Sequence, residues 1–287
     1  MGAKLLNVCI AVLLLVGLGF VLYPSVNNYY SEREMGKVLT NFEGIAAAST
    51  DNSEMSEMLD RLQADFSAYN EELFRSGQVG LRDPFFYETK VFDLSQYGRE
   101  TDVIGKVNIP KMNVELPLYL GATQENMALG AANLGYTSVP LGGANTNAVI
   151  SAHRGYGTAP YLRDIESLEL GDKIYLTNFW ETLAYQVVEI KIIQPTEIEE
   201  VRIQEGHDLL TLLTCHPYTQ NYQRYVVYGE RVDFEGIEES GSTLNFTDLS
   251  QSQTLILLER FAPIVIIIII VLTLFLIKTI GVRPPKL

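Results

Sequence analysis

The reading of this chain turns on Leu209-Leu210-Thr211-Leu212-Leu213-Thr214-Cys215 and on Arg224, nine residues further on, which stands just before a second apolar run beginning Tyr225-Val226-Val227-Tyr228. The first run has no Gly, Pro or charge and reads as a strand from Leu209 to Thr214 that ends at the cysteine. The second reads as a strand from Tyr225 to Phe234. If the two are adjacent and antiparallel, the connection returns Arg224 towards Cys215. Cys215 is the only thiol outside a membrane-length apolar segment, since Cys9 lies within one. A thiol attacks as thiolate, and with a free pKa of about 8.5 it needs a cationic or basic neighbour; His153 and Arg224 are the candidates. The plainer reading, a buried cysteine packing as a small hydrophobe, stays open on strand context alone. A zinc site is poorly supported, because the whole chain has 3 histidines.

Outward from this pair the pattern is β-rich. Further strands are expected at Ile104 to Ile109, Val114 to Tyr119, Ala148 to Ala152, Lys173 to Thr177 and Leu183 to Ile193, separated by Gly, Pro and Asn clusters. Short helices are expected at Glu125 to Ala131 and Ala159 to Ile165. The order suggests a closed or nearly closed barrel. Before it, from Tyr29 to about Gly77, the chain is helical in character. Met55, Met58, Leu59, Leu62, Phe66, Tyr69 and Leu73 recur at intervals of three and four, one apolar stripe that packs against the domain. Gly77 and Gly80 end it, and Asp83-Pro84 turns the chain.

Two apolar stretches, Leu5 to Tyr23 and Phe261 to Ile277, flank this region and are expected to cross a membrane. No small-residue cleavage site follows the first, so it reads as a retained anchor. Lys4 precedes the first, and Lys278, Arg283 and Lys286 follow the second, which puts both termini in the cytoplasm and the central region outside. All 35 acidic residues but only 17 of the 21 cationic ones lie between the stretches, a net charge of −18. That excess argues against nucleic acid as a partner. The expected organisation is a tail 1–4, a span 5–23, a helical region 24–80, a loop 81–100, a barrel 101–234, a linker 235–256, a span 257–277 and a tail 278–287.

A second candidate group is Ser151-Ala152-His153-Arg154-Gly155, where a strand gives way to a loop. His207 and His216 rival His153 as a base; the first lies in the turn before the Cys215 strand, and the second points to the opposite face if the strand continues past Cys215. Each candidate has a structural alternative: a hydrogen-bonded loop histidine, or an arginine bridging a carboxylate.

These residues together resemble a known family. Thr-Leu-x-Thr-Cys at Thr211 to Cys215, with His153 upstream and Arg224 downstream, is similar to the signature of sortases, and the likeness runs from roughly Ile104 to Asp233. It includes Ile109-Pro110, Leu116-Pro117-Leu118-Tyr119, Pro140-Leu141-Gly142-Gly143 and Gly171-Asp172-Lys173. Two membrane segments and a helical N-terminal region ending in Asp83-Pro84-Phe85 resemble class C, the pilus-building sortases, in which an Asp-Pro-aromatic lid occupies that place.

The resemblance implies a mainly β fold: an eight-stranded sortase-type β-barrel with short helices, an N-terminal helical region carrying a lid, and two flanking transmembrane helices. It implies a cysteine transpeptidase that cleaves a Leu-Pro-x-Thr-Gly type signal between Thr and Gly, with Cys215 as nucleophile, His153 as general acid and base and Arg224 stabilising the oxyanion. Thr214 is a candidate substrate-binding residue. Asp83 would pair with Arg224 while Phe85 covers Cys215. The implied partners are pilin subunits with the sorting signal and an acceptor lysine, and the implied setting is the outer face of a Gram-positive cell membrane. A housekeeping sortase that transfers proteins to cell-wall peptide, or a tethered binding module on the same barrel, are the alternatives. No phosphate-binding loop or metal cluster is legible, so no cofactor is expected.

Overall fold

The computed structural model describes residues 33–48, 52–87, 92–155 and 159–237, with a few isolated positions in the terminal segments. The chain divides into two compact units, Met1–Ser31 with Phe246–Leu287, and Glu32–Asn245. Both expected membrane spans fall almost wholly outside the described residues, among which no helix is long and apolar enough to cross a membrane. The second unit holds the helical region and the barrel.

Among the described residues the helical region contains two helices. Residues 33–48 form α1, and Ser53–Ser76 form α2. Asn52 caps α2, its side-chain oxygen accepting from the backbone N–H of Glu54 and Met55, and Gly77 closes it in the left-handed conformation at φ 70°. The stripe buries Leu59, Leu62, Phe66 and Leu73. Phe42 of α1 joins Leu62 and Phe66 in one core with the barrel residues Val107, Leu118 and Leu176. Each such side chain contributes roughly 1.5–3 kcal/mol by leaving water. A polar clamp fixes the register, because buried Asn70 donates to Val139 O at 2.9 Å and accepts from Val139 N–H at 2.8 Å.

Eight strands close into a barrel: β1 Val103–Ile109, β2 Val114–Leu120, β3 Ala131–Asn133, β4 Thr146–Ser151, β5 Lys173–Thr177, β6 Thr182–Ile193, β7 Asp208–His216 and β8 Gln223–Val232. Their order around the barrel is β1-β2-β3-β4-β7-β8-β6-β5. β2 with β3 and β4 with β7 are parallel, and the other pairs are antiparallel. β7 is buried on both faces, which is why its sequence is a continuous apolar run rather than an alternating one. Leu210 and Leu212 belong to the core that includes α2, whereas Leu213 belongs to a second cluster with Val149, Val226, Tyr228, Leu81 and Phe85. The alternation of strand residues therefore places Leu213, Cys215, Arg224 and Val226 on one face, covered by the segment after α2.

Three expectations need correction. β3 has no counterpart among the strands expected from the sequence. Of the two short helices, α3 runs Gln124–Leu129, but 161–164 are turns followed by a 3₁₀ turn at Ile165–Ser167. The positive φ of Tyr161, 42°, is incompatible with a helix there. β7 and β8 also extend further towards each other than expected, so Cys215 and Arg224 lie inside the ladder and not beyond it.

Candidate active site

Cys215 and Arg224 are directly opposed Cα partners of β7 and β8. His153 lies in the loop just past the neighbouring parallel strand: β4 ends at Ser151, which is level with Leu213 of β7, and His153 follows two residues later, as Cys215 follows Leu213. The loop after β4 is held to β7 by Ala152 N–H donating to Leu213 O at 3.3 Å and by Thr214 Oγ1 donating to Ala152 O at 2.7 Å. Thr214 is wholly buried and its hydroxyl is committed to that bond, so in this arrangement it ties strand to loop rather than facing a groove.

The segment 81–86 lies over this end of the barrel. Gln78, just past α2, donates to Tyr136 O at 3.0 Å and accepts from Ile203 N–H at 2.7 Å, anchoring the segment at its base. Gly80 lies against the Tyr136 ring, which an added Cβ would meet at 2.9 Å. Asp83 is then delivered to Arg224 in a bidentate pair, with Nε to Oδ2 at 2.6 Å and Nη2 to Oδ1 at 3.1 Å. Both partners are more than nine-tenths buried. Asp83 also accepts from Phe85 N–H at 2.9 Å, starting a 3₁₀ turn over Pro84–Phe86. That turn sets the Phe85 ring 4.9 Å from Arg224 Cζ and 5.7 Å, centroid to centroid, from the His153 imidazole. One aromatic ring thus touches two of the three candidate residues, in the cluster that also holds Leu213. The remaining Arg224 donor, Nη1, is held by Asn221 O and Gln223 O.

Electrostatics follow from this cover. Burial pushes the Cys215 thiol up to about 11, and Asp83 adds to the rise; Arg224 and Arg154 oppose it without prevailing. Burial lowers the His153 pKa below its ordinary value. Thiol and imidazole are therefore both neutral near pH 7 in this closed arrangement, a protonation state that spacing in the sequence leaves open.

The rival histidines lie elsewhere. His207, at the far end of β7, is half exposed with its Nδ1 2.9 Å from Glu230 Oε1. His216 turns to the opposite face, its ring 5.5 Å from that of Tyr225. Among the described residues no group of His, Cys, Asp and Glu is placed to hold a metal ion. The sequence alone does not single out Arg154 or Glu166, whose side chains meet behind Cys215. Adjacency to His153 is a signal for the first; none marks the second.

A family model for the Sortase domain matches residues 107–232. The pilus-related Sortase C of Group B Streptococcus superimposes with a TM-score of 0.57 at 35% identity, over 63% of this chain and 92% of that one. The chain belongs to the sortase family. Sortase C of Streptococcus pneumoniae gives a TM-score of 0.59 at 34% identity over 69% of this sortase and 97% of its own length. Among curated relatives, Sortase A of Bacillus anthracis is 35% identical over 130 residues, 45% of this chain and 60% of its own. Sortase D of Bacillus subtilis is 29% identical over 131 residues, again 45% of this chain and 63% of the relative. This sortase thus spans less than two thirds of those curated relatives, and its likeness to the Sortase C structures covers more of its length because it takes in more than the barrel.

Proposed function

We propose that this sortase is a membrane-anchored transpeptidase of the pilus-assembling class, working outside the cell on proteins with a Leu-Pro-x-Thr-Gly type signal. The observation that carries the reading is the opposition of Cys215 and Arg224 across β7 and β8, with His153 just past the end of β4 and Asp83 clamped to the arginine. His153 takes the Cys215 thiol proton, the resulting thiolate attacks the threonyl carbonyl, a C–S bond forms, and the Thr–Gly C–N bond breaks. His153 protonates the departing glycine amine and later takes a proton from the incoming amine. Arg224, always charged, stabilises the oxyanion once Asp83 has left it. A pilin lysine amine then accepts the acyl group, yielding an isopeptide link. Asp83-Pro84-Phe85 acts as a lid, since substrate and Asp83 compete for one guanidinium and Phe85 fills the space above it.

The test is intact mass of the full-length chain in detergent after incubation with such a peptide, wild type beside Asp83→Ala, with Cys215→Ala as control. A peptide-sized adduct confined to proteins retaining Cys215, and more abundant in Asp83→Ala, is expected. No adduct in any form removes the transpeptidase reading. Adding lysine-bearing pilin or a cell-wall peptide amine to the adduct separates pilus assembly from the housekeeping alternative by which one discharges it.

A further inference from the structure

A second buried cation lies behind Cys215, on the opposite face of β7 and β8. Arg154 follows His153 directly and is 4% exposed. Its Nη2 is 2.5 Å from Glu166 Oε1 and its Nη1 is 2.7 Å from His216 Nδ1. The same Nη1 lies 3.5 Å from Cys215 O, and Nε donates to Arg163 O at 3.4 Å. The Tyr225 ring lies alongside, its centroid 5.8 Å from Cζ. A guanidinium has only donors, so His216 Nδ1 must accept, which makes His216 the neutral tautomer with its proton on Nε2. The same Glu166 Oε1 lies 3.3 Å from that Nδ1.

The positions of these contacts give them meaning. Arg154 is one peptide bond from His153. It reaches the carbonyl of Cys215 and the ring of His216, one peptide bond beyond it. The paired register of β4 and β7 ends at Ser151 and Leu213, so His153 and Cys215 both lie just past it. The Thr214 and Ala152 bonds tie the chains one step earlier; the guanidinium ties them beyond, where the reacting groups stand. Glu166, on the loop that also supplies Arg163 O, pairs with the guanidinium by charge, although Nη2 makes no aligned hydrogen bond to it. We infer that Arg154, oriented by Glu166 and His216, is the positioning residue that keeps His153 at the correct distance from Cys215 during acyl transfer. This rests on the transpeptidase reading above. Arg154 makes no hydrogen bond to the reacting sulfur; it acts through the two backbones.

Two reactions of the same thiol separate positioning from mere folding. Acylation by the sorting peptide needs His153 to deliver a proton to the leaving amine, whereas alkylation by iodoacetamide needs only an accessible thiolate. Both rates are measured on the full-length protein in detergent, with Asp83→Ala as parent so that the groove is open. Arg154→Gln is expected to slow single-turnover acylation about 100-fold, the size of effect a misplacement of ~1 Å produces, with the peptide concentration for half-maximal rate changing less than about threefold. Alkylation should slow by no more than about fivefold, reflecting only the lost positive charge near the sulfur. Arg154→Lys, which keeps charge but not the fork, should recover less than about a tenth of the acylation rate. His216→Gln retains an acceptor and should stay near the parent, while His216→Leu, lacking one, should lose acylation about tenfold.

Parallel loss of acylation and alkylation, or acylation by Arg154→Gln within about threefold of the parent, overturns the inference. If Arg154→Gln does not melt cooperatively, the His216 pair decides, and equal acylation by Gln and Leu overturns it. A parent that is alkylated yet never acylated overturns the transpeptidase reading, and this inference with it.

Discussion

Two buried arginines flank Cys215, and they differ in where their carboxylates come from. Arg154 is paired with Glu166, a residue of the barrel's own connection between β4 and β5, and it also holds His216. Arg224 is paired with Asp83, 141 residues away in sequence on the segment that leads out of α2. The first pair lies within the barrel's own connection. The second joins the barrel to a short segment anchored at Gln78, which on the proposed lid reading lifts away. Both guanidinium charges favour a thiolate at Cys215. Only the Arg224 charge is opposed by a carboxylate that can leave. On the lid reading proposed above, one side of the nucleophile is scaffold and the other is a gate, built from the same chemical pair.

The comparison breaks most sharply at Arg224. Arg224→Gln in the Asp83→Ala background should lower peptide acylation by about 10²–10³-fold, the loss typical of one oxyanion donor. In the otherwise wild-type chain the same substitution leaves Asp83 buried without its cation, at a cost of about 3–5 kcal/mol unless the segment lifts. Lifting should then show as faster thiol alkylation despite slower acylation. Denaturant unfolding of Arg224→Gln and Asp83→Ala/Arg224→Gln checks the pairing: the double variant should be the more stable. Equal stability would mean that Asp83 is not held by the arginine.

A smaller effect is expected from opening the gate without touching the arginine. With the thiol at about 11, the closed protein should alkylate with a midpoint well above the ordinary range. Phe85→Ala should bring that midpoint down, and Asp83→Ala should do so further, because it removes a carboxylate as well as the cover. At a pH of about 8 each should label about tenfold faster or more, as expected when the thiol pKa falls by a unit or more. Stability responds to pH through the same thiol. A thiol whose folded pKa is raised contributes stability that is whole below about 8.5 and is lost as pH rises towards the folded value. Wild type should therefore lose stability between these limits and Asp83→Ala should lose less. The His153 pKa, depressed by burial, should rise in Phe85→Ala when followed by imidazole NMR; an unchanged value would mean that the ring does not desolvate it.

The two sides of Cys215 also differ in how far the sequence discloses them. The Cys215–Arg224 opposition is legible as a conditional reading of two apolar runs and their short connection, and the antiparallel pairing of β7 and β8 meets the condition. The strands β1, β2 and β4 to β8 are legible for the same reason, as runs of β-branched and aromatic residues between Gly, Pro and Asn. β3 is not, since Ala131-Ala132-Asn133 has little β propensity and is three residues long; its pairing is imposed by its neighbours. Asp83 carries no local sign of its partner, and only the family resemblance connects it with Arg224. Glu166 is one of 35 acidic side chains. Nothing in its surroundings in sequence separates it from those that face water, because its role is created by the turn structure of 159–168, where the residue pattern suggests a helix instead.

The finest distinction between scaffold and gate lies at Thr214, on the scaffold side. Its hydroxyl donates to Ala152 O at 2.7 Å, and the residue is wholly buried. Thr214→Val keeps the shape and removes the donor, so the Ala152 carbonyl loses a partner in a place water does not reach. The cost should be about 1–3 kcal/mol in unfolding free energy. Ala152 stands between the β4 ladder and His153, and the bond from its own N–H to Leu213 O remains. The loop should therefore loosen but not leave, giving a decrease in acylation of about tenfold or less, while the pH midpoint for alkylation stays at the wild-type value because neither Asp83 nor Phe85 has moved. A shift of that midpoint would show that the two sides communicate through β7, and the division between a fixed wall and a movable one would have to be redrawn.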